Sequence, residues 1–171
     1  MAVAYIGLGS NLGDSLALLQ DAIDSLQALG QVHVSRLYAS TPMGPQDQPD
    51  YLNAAVRLDT SLSPIALLDS LQHIEQLAGR RRLRHWGERT LDLDLLLFDQ
   101  ISLHTDRLTI PHVGILERSF VIQPLLDLDP TLMVAGHALS ASPLARQRDG
   151  IRPVQSSTWA IRQPECFSEH P

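Results

Sequence analysis

The spacing of apolar positions changes several times along the chain, and each change predicts an element. Residues 3–8, "VAYIGL", form a short apolar run closed by the glycines of "GLGSNLG", the pattern of a buried strand. From Asp14 or Ser15, either of them a suitable N-cap, Leu16, Leu19, Ile23 and Leu26 recur at helical spacing until Gly30. "VHVSRLYA" (32–39) predicts a second strand, and the Pro/Gly-rich "STPMGPQDQPD" (40–50) a long shaped loop. Strict alternation returns in "YLNAAVRLDT" (51–60), with Leu52, Ala54, Val56 and Leu58 on one face.

Ser63-Pro64 then opens a second helix, since proline suits the first helical position. Its stripe is Leu67, Leu68, Leu71, Ile74 and Ala78, and Gly79 ends it. "TLDLDLLLF" (90–98) predicts a fourth strand. The order β-α-β-β-α-β is that of a ferredoxin-like α+β fold: an antiparallel sheet with helices packed on it, here with C-terminal additions. An apolar helix follows around 115–126, and the periodicity fades beyond 140. The expected division is one domain over 1–140 and a loosely ordered tail over 141–171.

Composition narrows the function. At 171 residues and 44% hydrophobic, the chain can bury a real core. No run of about 18 apolar residues exists and the N-terminus lacks a basic leader, so a cytoplasmic protein without a membrane partner is expected. The single cysteine excludes an internal disulfide and a cysteine zinc cage. A net charge of −6 with 5% aromatics argues against a nucleic-acid binder, including the RNA-binding modules that share this fold. Positive charge is nevertheless concentrated. There is no lysine, and five of 13 arginines (Arg80, Arg81, Arg82, Arg84, Arg89) fall within ten residues. A solvated loop is the commoner meaning of such a cluster; a site for one small polyanion is the sharper one.

Asp92 and Asp94 follow directly. At i and i+2 they share a strand face, Cα atoms roughly 6.6 Å apart, where two bare carboxylates repel. Oxygen ligands of this kind suit Mg²⁺, which takes one or two carboxylates and fills its shell with water and phosphate. Taken alone, an exposed strand face or salt bridges to the arginines would explain the pair more often. Metal-binding carboxylates beside arginine forks, however, are the equipment of phosphoryl transfer, and together they favour a nucleotide-triphosphate site. The glycines of "GLGSNLGDS" fit neither a Walker loop, which needs lysine, nor the G-x-G-x-x-G spacing. A strand-to-helix turn is their expected role. No histidine pair has zinc spacing, and no G-x-S-x-G elbow exists.

The segments "YIGLGSNLGD", "STPMGPQDQPDYLNAAV", "IEQLAGRRRLRHWGERTLDLDLLLF", "LTIPH" and "RSFVIQPLLDLDP", in that order, resemble the 6-hydroxymethyl-7,8-dihydropterin pyrophosphokinases of folate biosynthesis. The resemblance spans about residues 3–135, and its R-x-W-G-x-R-T-L-D-L-D core is specific. It implies a monomeric enzyme that moves the pyrophosphoryl group of ATP to the hydroxymethyl oxygen of the pterin and releases AMP. By that resemblance Asp92 and Asp94 hold two Mg²⁺ ions. Arg82 and Arg89 contact phosphates, Arg80 helps seal the loop and Trp86 closes over the site. Gln72, Glu75, Arg107, Thr109, His112 and Arg118 line the ATP site, and Thr41, Pro42, Gly44, Tyr51, Asn53 and Phe120 the pterin pocket.

The pterin residues make physical sense. Tyr51 and Phe120 offer aromatic faces to a flat ring, and Asn53 offers a donor and an acceptor to its amino-pyrimidinone edge. Two positions depart from the family pattern: Glu88 replaces the usual proline after "WG", and Val113 follows "PH" in place of tyrosine or proline. They define the alternative, a catalytically impaired homologue that still binds pterin or nucleotide.

Overall fold

The computed structural model describes residues 1–11, 14–41, 50–79, 91–146 and 150–162. The first half runs β1 (Ala2–Ser10), α1 (Ser15–Gln27), β2 (Gln31–Val34), β3 (Tyr38–Ser40), β4 (Tyr51–Thr60) and α2 (Pro64–Leu77). The second half runs β5 (Asp92–Phe98), β6 (Leu103–His104), β7 (Thr109–Ile110), α3 (Ser119–Leu128), β8 (Met133–Val134), β9 (His137–Ala138), β10 (Ile151–Pro153) and α4 (Ser157–Arg162).

Local chemistry fixes the helix starts. The Asp14 carboxylate accepts from Ala17 N at 3.2 Å, and the Ser63 hydroxyl accepts from Ala66 N at 3.2 Å, each satisfying an orphan donor of the first turn. Gly79 takes φ +75 just past α2, a conformation glycine adopts without a Cβ penalty.

The main sheet is antiparallel, in the order β10-β3-β4-β1-β5, with β2 also pairing β4. The second predicted strand is thus two. Between β2 and β3, Ser35 keeps one ladder bond, its N–H donating to Ala55 O at 2.9 Å, but its hydroxyl rather than its carbonyl accepts from Ala55 N at 2.8 Å. The glycines expected in a strand-to-helix turn also move, because β1 extends through Ser10 and takes Gly7 and Gly9 into the sheet. Part of the segment expected to be a loose tail is built into the body, β10 as an edge strand and Trp159 buried at 2% exposure.

Alternation gives the sheet two unlike faces. Ala4, Ile6 and Leu8 of β1, Ala54, Val56 and Leu58 of β4, and Leu93 and Leu95 of β5 join Leu19, Ile23, Leu26, Leu67 and Leu71 of α1 and α2 in the larger core. Each fully buried leucine or isoleucine there contributes about 1.5–3 kcal/mol. The opposite face packs Tyr5, Ala55, Leu96 and Leu97 under Ile122, Leu125 and Leu128 of α3. That cover is partial, and the uncovered part holds the site. Among the described residues no helix is long and apolar enough to cross a membrane.

Candidate active site

Register places the polar side chains. On the α3 face, β1 lies between β5 and β4, with Gly7 opposite both Asp94 and Ala55, and Gly9 opposite both Asp92 and Asn53. Two carboxylates therefore face Asn53 and Ala55 across a strip with no side chains, a span of two strand spacings or about 9–10 Å. A Cβ on Gly9 would come 3.4 Å from Asn53 Oδ1 and 4.0 Å from Tyr51 Cδ1, so this strip is floor that glycine keeps clear.

The result is a cavity of about 270 Å³ lined by Gly7, Gly9, Ser40, Thr41, Tyr51, Asn53, Asp92, Asp94, Arg118 and Phe120, among others. The Asn53 amide is set by Ser40: Nδ2 donates to Ser40 Oγ at 2.7 Å, leaving Oδ1 over Gly9. At the start of α3 the Arg118 guanidinium lies 5.9 Å from the centre of the Phe120 ring, a cation–π pair at the mouth. Gly114 separates Arg118 from His112; a Cβ there would lie 3.3 Å from His112 Nδ1 and 3.4 Å from Arg118 Nε. Gly114 N also donates to His112 Nδ1 at 3.0 Å, which in the neutral ring leaves the proton on Nε2.

Of the expected residues, the cavity collects Thr41, Tyr51, Asn53, Asp92, Asp94, Arg118 and Phe120. Gln72, Glu75, Arg107, Thr109 and His112 stand outside it, on or next to α2 and β7, both of which contact β5. Arg107 pairs with Asp69 and donates to Gln72 Oε1 at 3.3 Å. Glu75, 5% exposed, accepts from Leu93 N at 3.0 Å, and His112 N donates to Leu96 O at 2.9 Å. These two residues take up backbone groups on the free edge of β5. Pro42, Gly44, Arg80, Arg82, Trp86 and Arg89 lie outside the described residues.

Gly7 and Gly9 were given only the role of a turn by the sequence, and Ser40 and Gly114 none. A signal existed for the first two: glycine at every second position of a strand leaves one face bare. The donor set fits a magnesium ion. Asp92 and Asp94 supply oxygen only, share one face, and open to a cavity with room for water and phosphate ligands.

Comparison with known proteins bears on this site. The family model for 7,8-dihydro-6-hydroxymethylpterin-pyrophosphokinase (HPPK) matches residues 5–130. A 2-amino-4-hydroxy-6-hydroxymethyldihydropteridine pyrophosphokinase of Haemophilus influenzae is 49% identical over 137 residues, 78% of this chain and 86% of that one. The enzyme of the same name from Methylorubrum extorquens is 39% identical over 158 residues, 91% of this chain and 100% of that one. Among solved structures, a triple mutant of Plasmodium falciparum HPPK-DHPS with STZ-DHP superposes at TM-score 0.70 and 14% identity, covering 91% of this chain. The wild type with pterin and p-hydroxybenzoate gives 0.62 at 17% identity, covering 81%. This chain spans 47% and 42% of those two solved chains, and at such identity the likeness concerns the fold.

Proposed function

The chain belongs to the 7,8-dihydro-6-hydroxymethylpterin-pyrophosphokinase family, and from that premise we propose that its cavity transfers the pyrophosphoryl group of ATP to the hydroxymethyl group of 6-hydroxymethyl-7,8-dihydropterin, a step of folate biosynthesis. The observation that carries this reading is the glycine-floored cavity, which opposes a carboxylate pair to an aromatic and amide wall. The ferredoxin-like description belongs to the same proposal, supported by two helices on one face of an antiparallel sheet ordered β3-β4-β1-β5. So do the cytoplasmic location and monomeric state.

The pterin oxygen attacks the β-phosphorus, the bond to the α,β-bridging oxygen breaks, AMP leaves with that oxygen, and the hydroxyl proton passes to solvent. The protein's task is positioning and charge neutralisation. Tyr51 and Phe120 hold the flat ring, and Asn53 Oδ1 accepts an N–H from its amino-pyrimidinone edge. Asp92 and Asp94 would hold two Mg²⁺ ions, which would supply charge neutralisation and Lewis acidity toward the triphosphate. Arg118 offers a guanidinium to the nucleotide at the mouth. Gln72, Glu75, Arg107, Thr109 and His112 complete the nucleotide side along β5. Arg80, Arg82, Trp86 and Arg89 are assigned to the phosphates and to closure by resemblance of their motif.

The test is the nucleotide product when protein, Mg²⁺, ATP and 6-hydroxymethyl-7,8-dihydropterin are mixed. AMP with a pyrophosphorylated pterin is expected; ADP, or no turnover, would overturn the reading.

A further inference from the structure

Residues from Gly150 onward lie beyond the stretch the family model matches, yet they bond to the strand whose Ser40, with Thr41 next to it, walls the cavity. β10 pairs with β3 at Ile151↔Ser40, Arg152↔Ala39 and Pro153↔Tyr38. Thr41 N donates to Gly150 O at 3.0 Å, and Val154 N donates to Leu37 O at 2.8 Å. The Trp159 indole N–H donates to Ser35 O at 3.0 Å, anchoring the segment in the core beneath. Arg152 Nη1 meets Asp50 Oδ2 at 3.2 Å. Thr41 and Asp50 flank residues 42–49, so one short segment is bonded on both sides of that stretch. Ser40, Thr41 and Tyr51 all line the cavity, and Ser40 sets the Asn53 amide.

Without β10, the three residues of β3 would be an edge strand held by β4 alone. Its outer N–H and C=O groups would then be left without a strand partner. We propose that the Gly150–Trp159 segment is a clamp that fixes Ser40, Thr41 and Asn53 in the geometry that receives the pterin, with Gly150 and Arg152 as its positioning residues. This rests on the reading that the cavity takes a pterin. The clamp bonds to β3, which pairs with β4, whereas Asp92 and Asp94 stand on β5 with β1 between, so the larger effect is expected on the pterin side.

Gly150 is the sensitive point. Its φ is +75, and an added Cβ would sit 3.0 Å from Thr41 Oγ1. A β-branched residue there strains the backbone and displaces Thr41 together. Steady-state kinetics with each substrate varied separately, on full-length protein, reads the effect. Gly150→Val is expected to raise the KM for the pterin about tenfold while the KM for ATP changes by less than about twofold. Arg152→Glu acts in the same direction but more weakly, about two- to threefold, because the ion pair is exposed. The double exchange D50R/R152D should bring the pterin KM back toward wild type.

Equal rises in both KM values, or no rise in either, would overturn the clamp. If circular dichroism shows Gly150→Val unfolded, the Arg152 arm decides, and an unchanged pterin KM or a failed reversal overturns it. A wild-type protein that makes no AMP strikes the pterin reading itself, an outcome visible before any variant is compared.

Discussion

Asp94 is an exposed carboxylate on a strand whose next residue, Leu95, is buried at 2%. Removing it takes nothing from the core, so Asp94→Ala should change stability by no more than about 0.5 kcal/mol. Its charge neighbours the transferred phosphates in the proposed reaction, so AMP formation should fall by about a thousandfold or more. Thermal melting beside a product assay separates the two effects, and near-normal turnover would refute the metal role. Gly9 makes the converse case, since what matters is the side chain it lacks. Gly9→Val suits a strand but fills the floor beside Asn53 Oδ1, and should raise the pterin KM about tenfold with the fold kept. An unchanged KM would mean the ligand lies elsewhere. On the same face, burial raises the Tyr5 phenol above its ordinary 10.0, and the Asp129 carboxylate adds to this, while Arg57 opposes it. The unfolded chain thus ionises first, and stability present below about pH 10 is lost as the pH rises through the higher folded value. Urea midpoints between pH 8 and 11 should show a decline that Tyr5→Phe flattens.

Elements were legible where a residue's own neighbours decide them. Asp14 and Ser63 cap their helices through bonds that reach only three residues ahead, and the leucine stripes needed nothing distant. The strand read as 32–39 is interrupted where the Ser35 hydroxyl takes the bond from Ala55 N while its carbonyl accepts from Trp159, twenty and 124 positions away, and alternation carries no trace of such bonds. β10 was invisible for a related reason: three residues are too few to show a period, and only β3 gives them a partner. β5 shows the same dependence at its free edge, where Glu75 occupies Leu93 N. Glu75→Ala would orphan that buried N–H between the two aspartates and should cost about 1–3 kcal/mol, read from the urea midpoint. Unchanged stability would show that water or another group takes over the bond.

At the scale of the molecule, the carboxylates could be found in the sequence, but not what they face. The cavity is assembled from 7–9, 40–41, 51–55, 92–96 and 118–121, and their meeting depends on sheet order and on which face α3 leaves open. The recognisable motif supplied the expected partners, while the glycine floor and the role of Ser40 needed the register. Net charge sets one more condition. The arginines offset part of a triphosphate's charge, but a chain at −6 that also presents two carboxylates to it needs a divalent cation between the two. Chelating divalent cations should therefore abolish AMP formation and ATP binding together, with both restored by magnesium. Both cores close by apolar packing, so melting of the ligand-free protein should shift by less than about 2 °C on chelation. Turnover that survives chelation would remove the metal from the mechanism, and a large loss of stability would relocate it from the cavity to the fold.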